Sequence, residues 1–284
     1  MKIIKYFIFC LLIGNLSAQE ITPNNKNSKN LKQGRWTVYV AKDRTETSII
    51  ENNMLYEIGE MKNSKKQGLW TTYITKTKQK LTEINYMNGK RNGIYCEYNS
   101  DGKMVAKGTL INGKAQGLCT WYYPDGKKEA EVLYKNGDRK GEYKEFDQKG
   151  EPTIIGNYKY NRRQGNWIMK LNEKGEEILD CYNDRHKDTA VCYTSGKMRD
   201  NRKEGLWTVY DMKTKTKIAE IDYVNGITDG LFVLYYNNGK ILEKTSYTMG
   251  VKNGKYQKFN EKGELIKEHN YKMENTQPNW LHSR

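Results

Sequence analysis

Apolar and polar residues alternate along most of this 284-residue chain, and the alternation is broken at even intervals by glycine-containing turns. The clearest stretch runs from Gly117 to Gly141, GLCTWYYPDGKKEAEVLYKNGDRKG. One run carries Leu118, Trp121, Tyr122 and Tyr123 into Pro124-Asp125-Gly126, and a second brings Val132 and Tyr134 to Asn136-Gly137. Asp-Gly and Asn-Gly suit hairpin turns because both positions tolerate positive φ. The stretch therefore predicts a β-hairpin with a turn at each end.

The same frame recurs. A Gly before each aromatic strand stands at Gly34, Gly68, Gly93, Gly117, Gly141, Gly165, Gly205, Gly230 and Gly254, in steps of 34, 25, 24, 24, 24, 40, 25 and 24 residues. Positions below are counted from this anchor. Position +2 carries Trp36, Trp70, Tyr95, Cys119, Tyr143, Trp167, Trp207, Phe232 and Tyr256. Position +5 carries mostly Tyr or Phe, and position −7 carries Tyr, Met or Leu. Strand-favouring residues between evenly spaced turns predict an antiparallel meander. Positions +2 and +5 differ in parity, so either a bulge unites them or aromatics line both faces of one sheet. The second solution is favoured, since no helical segment is available to cover a face. The expected fold is all-β: an elongated single-layer antiparallel meander of hairpins with a period of about 24 residues. Some eighteen strands at ~4.8 Å each would extend ~80 Å, beyond the usual open sheet, so coiling is expected. Composition fits a thin aromatic sheet, with 22 Tyr against 5 Phe.

The frame G-x-[WYF]-x-x-[YF]…G…Y-x-N-G-x-x-x-G resembles the MORN-repeat-variant proteins of bacteria, including those grouped as YwqK-type antitoxins. The resemblance covers roughly residues 33–273, with Gly93 to Gly165 the best match. It implies an elongated β-hairpin array used for binding. Standard units are nearer 23 residues and carry a second Gly where this chain has Trp or Tyr.

The ends read differently. Lys2 and Lys5 precede an apolar run from Tyr6 to Leu16, followed by Ser17-Ala18-Gln19. That is the layout of a secretory signal over residues 1–19, with cleavage expected after Ala18. The run is shorter than the ~20 residues of a spanning helix. Residues 20–31 read as a disordered linker, 32–273 as the repeat array and 274–284 as a tail. The chain is thus expected to be exported: periplasmic, envelope-associated or secreted. Its formal charge of +15, lowered by two if Lys2 and Lys5 leave with the signal, favours acidic partners or anionic surfaces.

Candidate chemistry is sparse. The cysteines match no zinc pattern and the three His are scattered, so neither metal nor cofactor is expected. Gly108 to Ala115 has the spacing of a phosphate loop, but Ala115 lacks the metal-binding hydroxyl and no helix is expected to follow. No Ser-His-acid or Cys-His order stands out, and an enzyme is not expected. Glu129 with Glu131, and Glu176 with Glu177, read as solvated strand positions. Export makes a disulfide conceivable. Cys181 and Cys192 flank a lengthened hairpin and are expected to pair across it, whereas Cys96 and Cys119 should remain free thiols.

The most informative feature is basic. Lys90, Arg91, Lys114, Arg139, Arg162, Arg163, Arg202 and Lys203 follow the Asn-Gly-type turns, together with Lys65-Lys66, Lys140 and Lys252. Equivalent turns lie two strands, ~10 Å, apart, so these cations are expected to form one rim. Trp121, Tyr122 and Tyr123 are the candidate stacking platform for sugar rings. The expected function is that of an exported, non-enzymatic repeat scaffold that binds a protein partner or an anionic envelope surface, lipid or lipopolysaccharide. An antitoxin or immunity protein and a cell-wall glycan-binding module are the alternatives, and export disfavours nucleic acid.

Overall fold

A computed structural model describes residues 18–20, 25–40, 55–171 and 192–272. Residues 1–17, 21–24, 41–54, 172–191 and 273–284 lie outside it, including most of the expected signal, the expected tail and Cys181. The described residues are all-β and form two units, one reaching Asp138 with the turn at Gln148–Gly150, the other taking Arg139–Asp147 and everything from Glu151 onward.

The first unit is an antiparallel meander of β1 (Ala18–Glu20), β2 (Gly34–Val40), β3 (Leu55–Lys62), β4 (Lys65–Ile74), β5 (Lys80–Met87), β6 (Lys90–Tyr98), β7 (Met104–Ile111), β8 (Lys114–Tyr122) and β9 (Lys128–Lys135). The second repeats the design in β10 (Asp138–Phe146), β11 (Pro152–Lys159), β12 (Arg162–Leu171), β13 (Cys192–Arg199), β14 (Arg202–Asp211), β15 (Lys217–Val224), β16 (Ile227–Tyr235), β17 (Ile241–Thr248), β18 (Val251–Phe259) and β19 (Leu265–Tyr271). Within each unit, consecutive strands pair. The repeat anchors all open or sit within the even-numbered strands.

Turn chemistry fixes the register. Asn88-Gly89, Asn112-Gly113, Asn136-Gly137 and Asn225-Gly226 all have both residues at positive φ, the mirror-image turn whose twist matches that of paired strands. Asn63-Ser64, Tyr160-Asn161, Asp200-Asn201 and Met249-Gly250 adopt the same geometry. Each turn is also tied to the hairpin before it. The Gly89 N–H donates to Lys66 O at 2.9 Å, that of Gly113 to Arg91 O at 2.7 Å, and that of Gly226 to Lys203 O at 2.8 Å. At the opposite ends, side chains such as Asn99 and Asp211 accept two backbone N–H bonds each and cap the loops.

Residues 25–31, expected to belong to a disordered linker, are folded. Asn27 Oδ1 accepts the Lys29 and Leu31 N–H groups, Lys26 bridges Lys32, and the Lys32 N–H reaches Ser64 Oγ. The polar side chains that made this stretch look unstructured are the ones that close its turn.

Aromatics line both faces. In the first unit Trp36 and Trp70, and in the second Trp167 and Trp207, are fully buried on one face of their own unit, called the tryptophan face. Position +5 points the other way, where Tyr73 stacks on Tyr56 at 5.1 Å and Tyr210 on Tyr193 at 5.0 Å. Bulges exist as well, just before position +5, for instance between Thr72 and Tyr73 and between Val209 and Tyr210. The extra residue sits on the partner strand, so the two aromatic sets stay on opposite faces.

The tryptophan face obeys a size rule across strands. Gly59, Gly156 and Gly196, nine residues before the next anchor, lie under the rings of Trp70, Trp167 and Trp207. A β-carbon there would fall 2.4, 2.1 and 2.4 Å from the ring. Where position +2 is Tyr or Phe rather than Trp, a larger residue replaces the glycine: Ile84 precedes Tyr95, Ile221 precedes Phe232 and Thr245 precedes Tyr256. In the eighth strand the large ring moves instead. Cys119 occupies +2, Trp121 occupies +4, and Trp121 lies between Ala106 and Ala130. Close packing forces this exchange of volume. Gly108, which opened the phosphate-loop-like stretch, is covered by Cys119 Sγ and the Tyr95 ring, each 2.6 Å from where its β-carbon would stand.

Candidate functional site

The turn edge carries the basic residues, and strand parity divides them. Side chains of adjacent strand residues face opposite sides, so each Lys-Lys or Arg-Arg pair splits. Position −2 turns toward the tryptophan face. Lys66 lies 4.4 Å over Trp70 and 5.0 Å over Tyr86, Arg139 4.3 Å over Tyr158, Arg163 4.8 Å over Trp167, and Lys203 5.0 Å over Trp207. Lys32 repeats the contact over Trp36 at 4.4 Å. Burial pushes the Lys32 ammonium below its ordinary value. Lys66 also pairs with Glu57 in a short contact. Arg91 holds the same −2 position and is half-buried. Where +2 is Cys119, position −2 is the buried Ala115, and where +2 is Phe232 it is Thr228. These inward cations cover aromatic rings and belong to the packing.

Position −3 turns to the opposite face. Lys65, Lys90, Lys114, Arg162 and Arg202 are exposed there. Arg162 reaches Asp200 at 3.5 Å. Lys65, Lys90, Lys114 and Arg202 make no ion pair among the described residues. Their stems lie against the next turn, Lys65 Cβ 3.6 Å from the place of a Gly89 β-carbon and Lys114 Cβ 3.6 Å from that of Gly137. Of the expected rim, Lys90, Lys114, Arg162 and Arg202 present outward charge, while Arg139, Arg163 and Lys203 are spent on aromatic rings.

Beside the outward lysines the same face exposes apolar side chains. In the first unit these are Leu69 (49%), Ile94 (52%) and Leu118 (50%) at position +1, and Met87 and Ile111 opposite Lys90 and Lys114. In the second unit Leu206, Val224, Ile227, Leu231, Met249 and Val251 are exposed, and Ile227 and Val251 replace the outward cation. Nothing in the alternation singles these residues out. Their position beside a turn and next to the anchor glycine is the signal that locates them.

Farther along that face lies a polar device. Bulges place an extra residue in the odd-numbered strands, so residues three apart share a side. Lys80 Nζ therefore reaches Glu83 Oε1 at 2.8 Å, and Lys217 Nζ reaches Glu220 Oε1 at 2.7 Å. In each unit a tyrosine of the next strand donates to the same carboxylate: Tyr98 to Glu83 at 2.5 Å, and Tyr235 to Glu220. Lys80 and Lys217 also lie over those phenol rings, at 4.4 and 4.5 Å. Burial alone would raise the Glu83 carboxyl, but the bonds from Lys80 and Tyr98 outweigh it and hold it below the ordinary range. Burial, then the bond to Glu83, pushes the Tyr98 phenol up to about 12. Lys128 and Glu131 pair likewise at 2.5 Å. Glu131, expected to be merely solvated, is thus half of an ion pair.

The expected stacking platform divides too. Trp121 is 4% exposed and packs near Tyr134 on the tryptophan face, so its ring offers no surface to a sugar. Tyr122 and Tyr123 are half-buried, and Tyr122 borders a shallow recess of about 430 Å³ with Lys103, Met104, Asp125 and Gly126. Cys96 and Cys119 are buried free thiols whose ordinary ionisation is pushed upward by burial. Cys192 is buried in β13, and burial followed by the charge of Asp211 raises its thiol to about 11. Its expected partner Cys181 lies outside the described residues. No group of three His, Cys, Asp or Glu stands together among the described residues.

Residues 115–136, 228–248 and 252–273 match the family model described as MORN repeat variant. No curated protein matches the chain. Among solved structures it is similar to a mutant TarM of S. aureus in complex with fondaparinux, α-GlcNAc-glycerol and UDP. Identity there is 14% over 53% of this chain and 19% of that one, with a TM-score of 0.19. A second TarM crystal structure shows 15% identity over 66% of this chain and 25% of that one, with a TM-score of 0.22. The chain spans a quarter or less of those proteins. Likenesses this low carry no argument about activity.

Proposed function

We propose that the chain is an exported, non-enzymatic hairpin-repeat scaffold whose turn edge binds an acidic protein partner or an anionic envelope surface. The MORN-type repeats support the scaffold part of this reading. The observation that carries the reading is the outward column. Lys65, Lys90 and Lys114 recur every second strand, are exposed and have no ion pair among the described residues. Cations meant only for solubility need no such regular placement. Interactions at this depth are screened beyond ~8 Å at physiological salt, so binding should weaken steeply as salt rises.

The test uses phosphatidylglycerol vesicles and an acidic polypeptide as probes. Changing Lys65, Lys90 and Lys114 to Gln should lower affinity for one or both and flatten its salt dependence. Affinity unchanged by both the substitutions and salt would refute the reading. Export is checked separately by intact mass of protein from native envelopes, which should lack about eighteen residues.

A further inference from the structure

On the open face of the first unit, two parallel rows run across the strands. One is Leu69, Ile94 and Leu118, each about half exposed, and the other is Lys65, Lys90 and Lys114. Each row takes one residue from β4, one from β6 and one from β8, so its members are two strands apart. Strand spacing then sets their repeat at about 9.4–9.8 Å. A ligand lying across the strands can touch all three apolar residues only if its own side chains repeat at that distance on one side.

A polypeptide has three common regular forms with which to meet the repeat. A β-strand presents same-side residues every ~6.7 Å, and three residues along it the side chain points away. An α-helix returns to one side after seven residues, a rise of about 10.5 Å, which falls ~2 Å out of step across the three contacts. A polyproline II helix has three residues per turn at 3.1 Å each, a repeat of about 9.3 Å. It alone stays in step from Leu69 to Leu118. Its three facets stand 120° apart, so the facet beside the apolar one faces the lysine row.

We propose that this surface binds an acidic, proline-rich segment in the polyproline II conformation, with an apolar residue at every third position and a carboxylate beside it. The apolar facet seats on Leu69, Ile94 and Leu118, and the carboxylates pair with Lys65, Lys90 and Lys114. The backbone of such a segment makes no internal hydrogen bonds and stays hydrated, so it needs no sheet edge, and the pre-formed conformation lowers the entropy lost on docking. In the second unit the row does not continue past Arg162 and Arg202, because Ile227 and Val251 stand where the next cations would be. This inference rests on the scaffold reading and names the chemistry of its partner.

The experiment titrates the full-length chain into three labelled peptides of about twenty residues at low salt and reads fluorescence anisotropy. One repeats Leu-Glu-Pro, one has the same composition with the three-residue phase scrambled, and one is an acidic amphipathic helix of heptad period. The in-phase peptide should bind at least about tenfold more tightly than either control. Ile94→Ser with Leu118→Ser should cost about tenfold, and Lys90→Gln with Lys114→Gln about fivefold with a flatter salt dependence. Equal affinity for the scrambled peptide, tighter binding of the helix, or indifference to both variants would overturn the proposal. If no peptide binds while the lysine variant still loses its hold on anionic vesicles, the polyproline inference falls and the scaffold reading stands.

Discussion

The turn edges of the two units share a backbone and differ in chemistry. In the first, the outward position carries Lys65, Lys90 and Lys114. In the later hairpins of the second it carries Arg202, Ile227 and Val251. The turns are alike, with Asn88-Gly89 and Asn225-Gly226 in the same conformation and each tied to a carbonyl of the preceding hairpin. The outward position is therefore free of the fold, since a cation and a branched apolar residue serve the strand equally. One residue on, the inward position follows the residue at +2: Lys66, Arg163 and Lys203 cover the rings of Trp70, Trp167 and Trp207, and Ala115 stands where +2 is Cys119. Neighbours in sequence answer to different constraints.

The largest expected effect breaks the shared frame in either unit. Gly196→Val places a side chain where the Trp207 ring lies, 2.4 Å from an added β-carbon, and should destabilise the protein by about 3–5 kcal/mol, as a large overpacking or loss of the ring would. Adding Trp207→Phe should restore part of the loss, because Ile221 with Phe232 is a natural version of that pair. Denaturant unfolding followed by tryptophan fluorescence measures both. If the double variant is no better than the single, volume exchange is not what relates Gly196 to Trp207.

A smaller effect sharpens the comparison through the ion-paired carboxylates present in both units. The Glu83 and Glu220 carboxyls are held below their ordinary range. Their contribution is complete above the unfolded carboxyl value of ~4.3 and disappears as pH falls through the lower folded values. Stability should accordingly drop on acidification below about pH 4, and Glu83→Gln with Glu220→Gln should blunt that drop while costing about 1–2 kcal/mol at neutral pH. At the alkaline end, the Tyr98 phenol, now at about 12, should titrate earlier in Glu83→Gln, as read by phenolate absorbance. No movement of that titration would remove Glu83 as a hydrogen-bond partner of Tyr98.

Much of this organisation was legible along the chain. The anchor glycines, the aromatic columns and the Asn-Gly turns imply the meander, and opposite parity at +2 and +5 implies two aromatic faces. The size exchange between Gly59 and Trp70, or Ile84 and Tyr95, is also written in the sequence, but it shows only when residues nine before one anchor are compared with those two after the same anchor. The pairing of Lys80 with Glu83 was not legible, because residues three apart in a regular strand face opposite sides and only a bulge unites them. The basic rim looked uniform for the opposite reason: composition records charge, whereas parity decides which charges reach solvent. Trp121 shows the same limit, since its place between Ala106 and Ala130 depends on register.

The smallest expected effect on stability belongs to the outward position. Ile227→Lys and Val251→Lys should each change stability by no more than about 0.5 kcal/mol while extending the charged row in the second unit. A large loss would mean that those apolar residues are covered in the folded protein.

The claim at the centre is that fold and binding divide between adjacent residues. It is tested most directly by two triple variants compared side by side, Lys65, Lys90 and Lys114 to Gln against Lys66, Arg163 and Lys203 to Gln. Each is measured for unfolding midpoint and for affinity to phosphatidylglycerol vesicles and an acidic polypeptide across a salt series. The outward variant should keep its midpoint and lose affinity and salt dependence. The inward variant should lose about 0.5–1 kcal/mol per cation–π contact and keep most of its affinity. Two variants that behave alike in both measurements would contradict the division.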